Sequence, residues 1–132
     1  MSIKIEGPIP LLFLSKRNKN NRIYTRECID RALKEYEGKE ILGVINAPTS
    51  STIDLSDVAF TTSEHFVQDD ILWAKKVKLL TTPAAQRLIE IMQTGVSVCI
   101  RPVGTGVIRD GFVEDYKIHG MMIVMKGDDS FS

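Results

Sequence analysis

The chain lacks most of the features that would assign it quickly to a class. It has two cysteines, Cys28 and Cys99, which fit no metal-ligand spacing. No metal or cofactor is therefore expected. With no secretion-type leader pattern at the start, reduced thiols in a cytoplasm are expected rather than a disulfide framework. Net charge is absent too: 17 basic residues balance 17 acidic ones. That removes the basic excess that drives nucleic-acid binding through bulk electrostatics. The longest apolar run, Ile9 to Leu14, is broken by Pro10 and is too short to span a membrane. There is no internal repeat, low-complexity tract or linker. What remains is an ordinary globular mixture, 43% hydrophobic and 26% charged. A single domain over 1–132 is expected, with 126–132 as a frayed polar tail.

The elements read in order. Ile9 to Leu14 forms a first strand. Ser15 to Arg22 is a basic, Asn-rich loop, read as a solvated turn, with an electrostatic contact surface as the alternative. Thr25 caps a helix running to about Tyr36, with Cys28, Ile29, Ala32, Leu33 and Tyr36 on one apolar face. Gly38 stops it. Ile41 to Asn46 is a short apolar strand and Ala47 to Thr52 a turn-rich stretch. Leu55 to Phe66 is extended. Ile71 to Leu80 is a strand with Ile71, Trp73, Val77 and Leu79 on its apolar face, interrupted by Lys75. Thr82-Pro83 starts a second helix that ends at Gly95. Val96 to Val103 is a β-branched strand broken by Gly104-Thr105-Gly106. Asp110-Gly111 then marks a hairpin leading into a last strand, Phe112 to Met125, bent at Gly120. The order predicts an α+β domain: a mostly antiparallel sheet or partly closed β-barrel with two flanking helices.

Four stretches in the same order resemble the prohead maturation proteases of tailed phages, distant relatives of the herpesvirus assemblins. Asn18-Lys19-Asn20-Asn21-Arg22-Ile23-Tyr24 is similar to the family's N-x-N-x-R-x-Y-P. Leu42 to Pro48 is similar to L-G-E-L-x-H-P. Gly95 to Gly104 resembles the nucleophile strand, and Val113 to Val124 the closing strand. The resemblance implies a Ser nucleophile, a His base and a third residue, Asp in most phages. Carried over, the base position falls on Ala47 and the third position on Met122. The nucleophile position falls on Ser97 or, in a shifted register, on Cys99; the two share a strand face. Arg101 falls near the oxyanion-stabilising loop, where Pro102 removes a backbone donor.

Alanine cannot take a proton from serine, and methionine cannot orient an imidazole. The resemblance with these substitutions implies a protease scaffold without its triad. The expected role is a structural capsid or prohead component that decorates, cements or binds the scaffold core. Its partner would be a major capsid or scaffold protein, and self-association as a homo-oligomer stays open. The expected location is the virion or prohead, assembled in the host bacterial cytoplasm. Membrane and nucleic acid are not expected partners. The alternative is a maturation serine endopeptidase that cleaves scaffold and capsid proteins, either active in another register with His65 or His119 as base, or engineered inactive at Ala47. His65 lies beside Glu64, an orienting carboxylate if the pair works together.

Overall fold

The computed structural model describes residues 7–18, 21–46 and 53–125. Its strands are β1 (Ile9–Phe13), β2 (Ile41–Val44), β3 (Val58–Gln68), β4 (Ile71–Leu79), β5 (Val98–Arg109) and β6 (Phe112–Met125). Its helices are α1 (Arg26–Leu33) and α2 (Pro83–Gln93), with 3-10 turns at Lys34–Tyr36 and Leu55–Asp57. One sheet runs in the order β1-β4-β3-β2-β6-β5. Every neighbouring pair is antiparallel except β2 with β6. The sheet curls into a half-barrel, so that β1 approaches β5 without a hydrogen-bonded ladder between them. This is the α+β, partly closed architecture expected from the element order.

Local chemistry explains the helices. The Thr25 hydroxyl oxygen accepts from the Cys28 N–H at 3.2 Å and opens α1. Thr82 opens α2 by accepting from the Ala85 N–H at 3.1 Å, and its hydroxyl donates to the Val58 carbonyl at 2.6 Å. Pro83 then occupies the first helical turn, where no N–H is needed. α1 buries Cys28, Ile29 and Ala32; α2 buries Ala84, Ala85 and Leu88. These faces meet Leu11, Ile41, Phe60, Leu72, Ile100, Ile118 and Met121 in one core. Burying each large side chain of this kind contributes roughly 1.5–3 kcal/mol.

Three expectations change. β5 runs unbroken through Gly104-Thr105-Gly106. Those glycines permit close approach: a Cβ on Gly104 would stand 2.4 Å from the Lys117 carbonyl oxygen and 2.6 Å from the Tyr116 ring. On β4 the fully buried residues are Leu72 and Ala74, out of phase with the expected stripe, of which Val77 and Leu79 also pack against the core. Trp73 instead stacks on Phe66 across the ladder, ring centroids 6.3 Å apart. Leu55–Asp57 is a 3-10 turn capped by Asp54, whose carboxylate accepts from the Ser56 N–H, and not extended chain. The expected tail, 126–132, lies outside the described residues.

Candidate functional site

The stretch that carries the nucleophile candidates begins just before β5. Ser97 is exposed and precedes the strand; Cys99 is half-buried within it. The ladder places Cys99 opposite Val124, Arg101 opposite Met122 and Val103 opposite Gly120. β2 extends the same surface, with Val44 beside Met122 in the parallel pair. Cys99, Arg101, Val103, Met122, Val124 and Val44 thus share one face of the sheet.

That face is apolar around Met122, the expected third triad position. Met122 is 8% exposed and forms a small cluster with Val44 and Val58, covered by Ile53, Leu80, Val103 and Val124. The Arg101 Nε–H donates to the Met122 sulfur at 3.4 Å. Thioether sulfur is a weak acceptor. Among the described residues Arg101 has no carboxylate at ion-pair distance, unlike the Arg26–Asp30, Lys76–Glu64, Lys78–Glu40 and Arg109–Glu114 pairs.

The expected base position, Ala47, lies outside the described residues. The two histidines are both described. His119 is the extra residue where the β5–β6 register shifts between Val103 and Gly104, and its Nε2 is hydrogen-bonded to the Thr105 hydroxyl at 2.9 Å. From there to Val124, the partner of Cys99, is on the order of 15 Å along the strand. His65 sits on β3, near the far end from Val58, with its Nε2 2.8 Å from the buried Thr62 hydroxyl. Burial holds its pKa down to about 4. Glu64 does not orient it: that carboxylate takes the Lys76 ammonium at 3.0 Å. Neither imidazole is brought to Ser97 or Cys99.

Pro102 lies inside β5, opposite Met121. The basic loop folds back on itself: the Arg17 guanidinium donates to the Asn21 side-chain oxygen at 2.7 Å, and the Lys16 ammonium lies 5.0 Å from the Phe13 ring centre. Two clefts flank α1. One, about 550 Å³, lies between α1 and the first half of β6; the other, about 400 Å³, is bounded by residues 36–40 and His65. Neither includes Ser97, Cys99, Arg101 or Met122. Among the described residues no cluster of His, Cys, Asp and Glu could hold a metal ion, and no helix is long and apolar enough to cross a membrane.

The apolar cover over Met122 was not legible in the sequence. A plain hairpin about Asp110-Gly111 would set Arg101 opposite Gly120; two register shifts move it to Met122.

No family model matches the chain, and no curated protein matches it. Among solved structures it is similar to the capsid assembly protease gp21 of bacteriophage T4, with a TM-score of 0.76 and 19% identity. The match covers 93% of this chain and 91% of that one. At this identity the likeness shows the fold alone: the chain has a prohead-protease-like fold, and its chemistry has to be argued from its own side chains.

Proposed function

We propose that this chain is a catalytically inactive protein of the capsid-assembly-protease fold, acting in the virion or prohead as a structural component through protein–protein contacts. The observation that carries the proposal is the buried Met122, hydrogen-bonded by Arg101 inside an apolar cluster at the third triad position. A serine or thiol protease needs a base within hydrogen-bond reach and a group to orient it. Ala47 and Met122 supply neither, and His65 and His119 are bonded to threonines elsewhere on the sheet. Loss of a catalytic base alone lowers turnover by several orders of magnitude. A strand at the end of the sheet, as β5 is among the described residues, is suited to holding an extended segment of a capsid or scaffold protein.

The alternative is a working or engineered-inactive maturation protease. The exposure of Ser97 is what favours it, since the hydroxyl is open to reagents and substrate alike. Quantitative mass spectrometry of mature particles separates the two. Intact chain in fixed ratio to the major capsid protein is the expected result. Presence in proheads and absence from mature particles would favour the protease or a scaffold-core role.

A further inference from the structure

The tip of the β5–β6 hairpin holds apolar side chains out to water. Val107 pairs with Glu114 and Arg109 with Phe112, so these four side chains share one face. Arg109 and Glu114 neutralise each other at 3.6 Å, which leaves Val107 and Phe112 as the apolar part of that face. Ile108 shows on the opposite face of the same tip. All three apolar side chains are 44–51% exposed. Grouped and rimmed by charge, such side chains mark an interaction surface.

Phe112 also divides two surfaces of opposite sign. On one side Ile23 is tied to the tip: its N–H donates to the Gly111 carbonyl at 2.7 Å, and its carbonyl accepts from the Val113 N–H at 2.9 Å. That tie holds the basic loop beside the hairpin, with Lys16 and Arg22 exposed. On the other side Phe112 lines the cleft of about 550 Å³ against α1. Four carboxylates, Glu27, Glu35, Glu114 and Asp115, line this cleft against two cations, Arg31 and Lys117. Among the described residues Glu27, Glu35 and Asp115 have no cation at ion-pair distance, and Lys16 and Arg22 have no carboxylate. A chain of zero net charge thus keeps unpaired charges of opposite sign on the two sides of one apolar tip.

This layout is self-complementary. A two-fold axis through the tip turns the basic side of one copy onto the acidic side of the other, twice over, and closes at two copies. A guest of a single sign would match only half of the surface and be repelled by the rest. We infer that the hairpin tip is a homodimer interface. Val107, Ile108 and Phe112 form its apolar centre, and the side of each copy that carries Lys16 and Arg22 docks at the acidic cleft of the other. The inference concerns self-association and stands apart from the question of peptidase activity.

Sedimentation equilibrium up to millimolar concentration tests it, with the fold of each variant checked by circular dichroism. Wild type should be a dimer that weakens as salt is raised. Two charge reversals are made: Lys16→Glu with Arg22→Glu, and Glu27→Lys with Glu35→Lys. Each alone sets like charges together in both halves of the interface and should weaken dimerisation by about tenfold or more. Mixed, the two should form a heterodimer of near wild-type affinity, because both halves then pair opposite charges. Phe112→Ser, at an exposed side chain, should weaken the dimer by about tenfold. A wild-type monomer, a larger assembly or a salt-insensitive dimer overturns the inference. So does a dimer that either reversal or Phe112→Ser leaves intact, and so do reversed variants that stay monomeric when mixed.

Discussion

Arg101 and Met122 face each other across the β5–β6 ladder, with the guanidinium Nε–H 3.4 Å from the thioether sulfur. A carboxylate in place of that sulfur would pair with the arginine; the methionine instead joins Val44 and Val58 under an apolar cover. Met122→Ala should lower unfolding free energy by about 2–4 kcal/mol, the range for opening a cavity at a buried Met, whereas Met122→Leu should cost under ~1.5 kcal/mol. Urea denaturation of the two variants checks this. Equal, negligible losses would mean that Met122 is not packed as described.

His65 gives the protein a pH dependence of known sign. Burial lowers its pKa from 6.5 to about 4, so the unfolded chain binds the proton more readily than the folded one between those values. Stability contributed by the neutral imidazole is full above pH 6.5 and is lost as pH falls toward about 4. The partly exposed ring limits the effect to roughly 1–3 kcal/mol. The melting temperature of His65→Gln should fall less than that of wild type across this window. Asp54 and Glu64, whose pKa values are lowered by Ser56 and Lys76 respectively, lose stability with acid in both proteins and cancel in the comparison.

Glycine substitutions should separate close approach from turn conformation. At Gly104 a Cβ meets backbone, the Lys117 carbonyl oxygen at 2.4 Å, which cannot move without shifting the ladder. At Gly38 nothing lies near, and the obstacle is only a φ of +73°. Gly104→Ala should therefore be destabilised by more than ~2 kcal/mol, and Gly38→Ala by about 1 kcal/mol. Thermal unfolding of both orders them; the reverse order would contradict the packing of Tyr116 under β5.

The Thr82 hydroxyl does two jobs, capping α2 and tying it to Val58 on β3. Thr82→Ala should lose about 1–2 kcal/mol, and Thr82→Ser should recover most of it, since only the hydroxyl is used. Failure of serine to rescue would assign the effect to the methyl group.

Much of the fold was legible because local signals agreed with it. Thr25 and Thr82-Pro83 marked both helix starts, and Asp110-Gly111 marked the hairpin. Glycines misled, since Gly104 and Gly106 look like breakers in sequence and act as clearance under Tyr116 and Val113 in the sheet. β4 misled because both of its faces meet apolar side chains, so alternation could not say which was core. For the candidate site, the face shared by Cys99, Arg101 and Met122 depends on register shifts within β5–β6 that no periodicity reveals. The ties of His65 to Thr62 and of Glu64 to Lys76 were equally hidden, because neighbours in sequence took separate partners.

If the proposed function holds, the scaffold performs no peptidase chemistry. Incubating the native protein with a fluorophosphonate, which reacts with activated serines, and weighing the intact chain tests this most directly. No adduct is expected on wild type, and none on Ser97→Ala. A stoichiometric adduct on wild type that disappears in Ser97→Ala would contradict it, and would show that a base reaches Ser97 in solution.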